Sequence, residues 1–178
     1  MTVDTTDTAD AADAVTVFVG LGANLGDRLA TLRRALTAIA AIPGTQHLAV
    51  SPVYETRPMG PADQPDYANA VCRFETSLQP LALLDALQAI ENAAGRDRSV
   101  GHWRERSLDL DLLLYGDQEI QHERLTVPHA GLVERSFVRV PLADLEPELE
   151  IPGKGPLSGL PEVGIDYQLG FLGNISPD

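Results

Sequence analysis

Apolar residues along the chain fall into runs of two periods, separated by breaks rich in glycine and proline. "VTVFVGLGAN" opens on β-branched and aromatic residues and closes on glycines, which predicts a buried strand running into a turn. Leu29, Leu32, Leu36 and Ile39 then recur at helical spacing, with Asn24 or Asp27 available as a cap and Pro43-Gly44 as a stop. "HLAVSPVYET" reads as a second strand, bent near Pro52. After the loop "RPMGPADQPD" comes a third strand, "YANAVCRFETS". A second helix is expected from about Pro80 to Ala94, with Ser77 as its cap, Leu84, Leu87 and Ile90 as its apolar stripe and Gly95 as its end. "SLDLDLLLYG" is the fourth strand.

The order strand, helix, strand, strand, helix, strand is the split βαβ pattern of ferredoxin-like folds. It predicts an α+β protein, an antiparallel sheet packed with helices. Beyond it, residues 117–151 are expected to add short strands and a helical turn around Leu142 to Leu145, and the tail from Pro152 to be irregular. Residues 1–14, "MTVDTTDTADAADA", offer little apolar surface and read as a disordered acidic tail ahead of a single domain at 15–178.

Composition changes the picture in three ways. A formal net charge of -13 makes the chain a poor general binder of nucleic acid, which is held by neutralising phosphates. The single cysteine, Cys72, leaves no intramolecular disulfide, so a reducing cytoplasm fits best. No apolar run reaches the roughly 18 residues of a membrane span.

Against that acidic background, "RDRSVGHWRERSLDLDLLLYG" places Arg96, Arg98, Arg104 and Arg106 beside Asp109 and Asp111. Residues two apart on a strand share a face, so both carboxylates project together while Leu108, Leu110 and Leu112 face the core. Such a pair repels itself unless a cation intervenes, and oxygen ligands without clustered Cys or His favour Mg²⁺. The glycine loop Gly20 to Gly26 is one residue too long for a dinucleotide fingerprint and is read as a turn into a helix. "GKGP" at Lys154 is no P-loop. Gln88 and Glu91 share a helix face near the aspartates, Arg124, Thr126, His129 and Arg135 follow soon after, and Trp103, Tyr67, Asn69 and Phe137 could frame a flat ring. Carboxylates for a metal, many arginines and an aromatic slot point to phosphoryl-type transfer from a nucleotide to a flat heterocycle.

With those residues in view, "VGLGANLGDR", "QPDYANAV", "LDLDLLLYG", "RLTVPH" and "RSFV" resemble, in order, the motifs of the 6-hydroxymethyl-7,8-dihydropterin pyrophosphokinases of folate synthesis. The resemblance runs from about Val15 to Ile151. It implies a ferredoxin-like fold with extra C-terminal strands and loops, usually a monomer, moving the pyrophosphoryl group of ATP to the pterin hydroxymethyl oxygen. It implies that Asp109 and Asp111 bind two Mg²⁺ ions, with Arg98 and Arg106 stabilising charge on the departing AMP. It places ATP at Gln88, Glu91, Arg96, Arg98, Trp103, Arg106, Leu112, Arg124, Thr126, His129 and Arg135. It places the pterin at Thr56, Arg57, Met59, Tyr67, Asn69, Trp103 and Phe137. The chain departs from the family at Arg57, Ser99, Arg104-Glu105 and Ala130. The rival readings are a non-catalytic module that binds ATP or pterin, an RNA-binding sheet, and a kinase that moves one phosphoryl group.

Overall fold

The computed structural model describes residues 13–57, 65–95, 108–161 and 169–178. Strand β1 (Val15–Ala23) leads through a turn to helix α1 (Arg28–Ala40). Asp27 caps α1, its carboxylate accepting from the Ala30 N–H at 3.1 Å. Leu32, Leu36 and Ile39 form the buried stripe that the spacing predicts. The helix ends at Ala41, and Gly44 (φ +83°) turns the chain in a conformation that few side chains adopt. A Cβ there would also lie 2.1 Å from the Ser77 hydroxyl, so only glycine fits.

Strands β2 (Gln46–Val50) and β3 (Val53–Thr56) are the two halves of the bent second strand. β4 (Tyr67–Thr76), α2 (Pro80–Gly95) and β5 (Asp109–Tyr115) follow. Proline suits the first position of α2, because its missing N–H would have no partner there. Ser77, expected as the cap, lies three residues ahead of that start and packs against Gly44 instead.

The main sheet has six strands, ordered β10 (Gly170–Gly173)-β3-β4-β1-β5 with β2 also on β4, and every pairing is antiparallel. The run β3-β4-β1-β5 is the ferredoxin-like order. On one face Val17, Val19 and Leu21 of β1, Cys72 and Phe74 of β4, and Leu110 and Leu112 of β5 pack on α1 and α2. Each fully buried Leu or Phe contributes about 1.5–3 kcal/mol through apolar burial. Burial pushes the Cys72 thiol up to about 12.

The opposite face carries Phe18, Val71, Leu113 and Leu114 against Leu132, Val138 and Leu142. Here the C-terminal third departs from expectation. Helix α3 runs over Ser136–Leu145, not the single turn predicted, and contains Pro141. It is tied to the sheet by the Tyr54 hydroxyl donating to Asp144 and by Arg73 pairing with Glu146 at 2.8 Å. The tail is not irregular either. Hairpin β8 (Glu150–Ile151) and β9 (Gly155–Pro156) precedes β10 (Gly170–Gly173), which extends the main sheet by pairing with β3. Before α3, the short hairpin β6 (Ile120–His122) and β7 (Leu125–Val127) lies beside β5. No described helix is long and apolar enough to cross a membrane.

Candidate active site

Two cross-strand rows on the α3 face of the sheet build the site. Asn69 of β4, Gly22 of β1 and Asp109 of β5 are register partners, and so are Val71, Gly20 and Asp111 one step along. Partners directly opposite on antiparallel strands share a face. The two glycines therefore open a trough between Asn69 on one side and the carboxylates on the other. This corrects the reading of Gly20 and Gly22 as part of a turn, for β1 runs through both and only Gly26 (φ +60°) lies in the turn. Their signal was visible, since two glycines two apart in a strand share one face.

The trough floors a first cleft of about 740 Å³, open space included. Thr56, Arg57, Tyr67, Asn69, Arg135 and Phe137 surround it, with Asp109 and Asp111 at one end. The Asn69 amide nitrogen donates to the Thr56 hydroxyl at 2.7 Å, and both residues are buried. That bond turns the Asn69 carbonyl oxygen toward Gly22, ready to accept from a ligand's N–H. Arg135 was expected on the nucleotide side. Its guanidinium instead lies 5.7 Å from the centre of the Phe137 ring, within cation–π range, and lines the first cleft. Val138, which sequence reasoning missed, lines it as well.

A second cleft, about 720 Å³ on the same measure, opens on the other side of the aspartates. Gln88 and Glu91 of α2, Asp109 to Leu112 of β5, and Arg124, Thr126, His129 and Ala130 surround it. The alternation of β7 buries Leu125 and Val127 and turns Thr126 outward. Arg124 is held on α2 by the Asp85 carboxylate and by Gln88 at 3.3 Å. The Glu91 carboxylate accepts the Leu110 N–H of β5 at 3.1 Å. Leu84, read from the sequence only as part of the apolar stripe of α2, and Leu125, not singled out there, also line this cleft.

His129 follows the cis Val127–Pro128 bond, and its backbone N–H donates to the Leu113 carbonyl at 3.0 Å. Its Nδ1 accepts the Gly131 N–H at 3.0 Å, so a neutral ring carries its proton on Nε2. That nitrogen stands 3.8 Å from Asp111, beyond a hydrogen bond but within Coulombic reach. The two clefts thus meet at Asp109 and Asp111. Met59, Arg96, Arg98, Trp103 and Arg106 lie outside the described residues.

Comparison with known proteins places this geometry in a family. The sequence model described as 7,8-dihydro-6-hydroxymethylpterin-pyrophosphokinase matches residues 18–147. The chain is 44% identical over 155 residues to the 2-amino-4-hydroxy-6-hydroxymethyldihydropteridine pyrophosphokinase of Haemophilus influenzae, covering 87% of this chain and 96% of that one. It is 49% identical over 136 residues to the Pseudomonas aeruginosa protein of the same name, covering 76% and 83%. Among solved structures, Plasmodium falciparum HPPK-DHPS, wild type with pterin and p-hydroxybenzoate, aligns with a TM-score of 0.64 at 15% identity. That alignment covers 84% of this chain but only 43% of the Plasmodium one, and it bears on the fold alone.

Proposed function

Because the chain belongs to the 7,8-dihydro-6-hydroxymethylpterin-pyrophosphokinase family, we propose that it moves the pyrophosphoryl group of ATP to the hydroxymethyl oxygen of 6-hydroxymethyl-7,8-dihydropterin, giving AMP and the pterin diphosphate in folate synthesis. The observation that carries this reading is the pair of clefts sharing two carboxylates. A donor and an acceptor held on either side of one charged boundary is what a group transfer between them requires.

The pterin takes the first cleft. A flat ring over Gly22 meets the Asn69 carbonyl oxygen and the Thr56 hydroxyl at one edge, with Phe137 and Tyr67 as walls. Its opposite side then faces Asp109, because Asn69, Gly22 and Asp109 form one row. ATP takes the second cleft, where Gln88, Leu112, Arg124, Thr126 and His129 line the wall. His129 donates from Nε2 to a phosphate oxygen, since its Nδ1 is already engaged. By resemblance Arg96, Arg98, Arg106 and Trp103 complete that side, and Met59 and Arg57 the pterin side.

Asp109 and Asp111 would hold two Mg²⁺ ions. The donor set fits: two carboxylates project from one face of β5 where both clefts meet, and Mg²⁺ commonly takes one or two carboxylates with water and phosphate oxygens. When bound, the ions would neutralise the triphosphate and lower the pKa of the alcohol. The protein's own share is to fix both substrates in line and to spread cationic donors around the transferring group. We assign residues 15–178 to one catalytic domain, which by resemblance to the family acts as a monomer. A cytoplasmic setting suits the free, buried Cys72.

Phosphorus NMR with ATP, Mg²⁺ and the reduced pterin tests the reaction. AMP and pterin diphosphate should appear together and vanish in Asp109→Ala. ADP with a pterin monophosphate would overturn pyrophosphoryl transfer, and bound ATP without turnover would leave a non-catalytic binding module.

A further inference from the structure

Arg28 is the first residue of α1, where the helix macrodipole is positive and a cation is the wrong sign. The helix gains nothing from it there. Its guanidinium reaches elsewhere, along two arms. One nitrogen donates to the Asp66 carbonyl oxygen at 2.9 Å, and another pairs with the Glu55 carboxylate at 2.7 Å. Glu55 lies near the end of β3, and Asp66 immediately precedes β4. Arg28 therefore joins the point where the chain leaves one strand to the point where it enters the next.

The last rung between those strands is Thr56 opposite Tyr67, with Glu55 opposite Ala68 one step before. Strand alternation sets the faces. Ala68 belongs to the core beneath α1 and α2, so Glu55 and Arg28 lie behind the sheet. Thr56, Tyr67 and Asn69 lie in front of it, in the first cleft. Each contact of Arg28 is thus one residue removed from a residue of the cleft wall: Glu55 from Thr56, and Asp66 from Tyr67.

We propose that Arg28 is a positioning residue for the acceptor cleft. From behind the sheet it clamps the final β3–β4 rung, and so fixes where the Thr56 hydroxyl and the Tyr67 ring stand relative to the Gly22 floor. It touches neither substrate. Arg28 and Glu55 are about a quarter and a third exposed, so the pair itself adds little to global stability. Its effect is local, on placement, and falls on the acceptor and not on the nucleotide, whose cleft lies across the aspartates. Arginine suits the task because its planar fork serves a carboxylate and a carbonyl at once, which a lysine's single charge does less well.

This inference rests on the first cleft being the pterin site. The test measures, for wild type, Arg28→Met, Arg28→Lys and the pair Arg28→Met/Glu55→Gln, the pterin Kd by calorimetry, KM for pterin and ATP, kcat at saturation, and the thermal midpoint. Arg28→Met should weaken pterin binding about five- to tenfold, a change of roughly 1–1.4 kcal/mol. KM for ATP and kcat should stay within twofold of wild type. Arg28→Lys should recover part of the loss, and the double variant should be no worse than Arg28→Met alone, because both remove the same contact. A pterin Kd within twofold of wild type in Arg28→Met would overturn the clamp. Pterin and ATP parameters falling together with the thermal midpoint would also overturn it, making Arg28 a residue of general stability. Wild-type protein that binds ATP but no pterin would overturn the assignment of the cleft, and with it this inference.

Discussion

Filling the trough is the sharpest test of where the acceptor lies. Gly22→Ala adds one methyl group at the centre of the row Asn69, Gly22, Asp109. Built on this backbone, the new carbon lies 3.3 Å from the Asn69 carbonyl oxygen and 3.8 Å from the Tyr67 ring. The first distance is tight, so the amide must give by a few tenths of an ångström. It cannot swing freely, since its nitrogen is bonded to Thr56 at 2.7 Å and losing that bond costs about 0.5–1.5 kcal/mol. Against this, alanine in a strand interior is favoured over glycine by about 0.5–1 kcal/mol. The two nearly cancel, and the thermal midpoint should move by only a few degrees. The ligand has no such offset. A ring lifted off the floor and turned from the Asn69 oxygen leaves a buried acceptor poorly met, a loss of about 1–3 kcal/mol, or roughly 5- to 150-fold in pterin affinity. Calorimetry with the pterin and with a non-hydrolysable ATP analogue reads both clefts in one protein. Pterin affinity within twofold of wild type would refute the placement of the ring over Gly22. Equal loss for both ligands would refute the separation of the clefts.

The other predictions concern the carboxylates, the core and the alkaline limb of stability. Asp109→Asn and Asp111→Asn should each lower turnover by at least about a hundredfold, with the thermal midpoint unchanged or raised as like-charge repulsion is relieved. Steady-state rates within tenfold of wild type would count against their role. Leu36→Ala removes a fully buried side chain between α1 and the sheet and should cost about 2–5 kcal/mol in urea denaturation, whereas a loss below about 1 kcal/mol would contradict the packing. The Cys72 thiol is raised from 9.0 to about 12 by burial. Desolvation and the Asp144 contact raise the Tyr54 phenol from 10.0 to about 12. Both pKa values are raised in the folded state, so the stability of the neutral forms is fully present below about pH 9 and is lost as pH rises through about 12. Urea midpoints should therefore fall between about pH 9 and pH 12, and less steeply in Cys72→Ala; a flat profile would refute the linkage.

What the sequence made legible was local and periodic. Leu32, Leu36 and Ile39 announce α1 because one face of that helix is buried, and the Asp–Leu alternation of β5 announces a strand with one wet face. What it concealed was decided by partners distant in the chain. Gly20 and Gly22 look like a turn until β4 and β5 are seen on either side of them. Pro141 inside α3 hides a ten-residue helix, since proline removes one backbone donor and argues against the pattern around it. β10 is a short "GFLG" in a glycine-rich tail, and only its pairing with β3 makes it a strand. The resemblance offered two residue sets, and the described members of each line one cleft apiece, Arg135 excepted. The resemblance put Arg135 on the nucleotide side, but the turn into α3 sets its guanidinium against Phe137 in the lining of the first cleft.

The second cleft owes its position to β5 ending the sheet. A strand at an edge presents unpaired backbone groups, which proteins cover or blunt. Here the cover is made from the groups that line the cleft. Glu91 takes the Leu110 N–H from α2, and the His129 N–H meets the Leu113 carbonyl from the segment after β7. These bonds draw α2 and the β6–β7 hairpin to the same edge from which Asp109 and Asp111 project. The outer side of the edge becomes the wall of the second cleft, and the inner side, where β1 contributes only glycine, becomes the trough of the first. The carboxylates belong to both because they stand on the last strand of the sheet. Had β5 been followed by another strand, the backbone groups now met by Glu91 and His129 would have been spent on a ladder, and no second cleft could have opened beside the first.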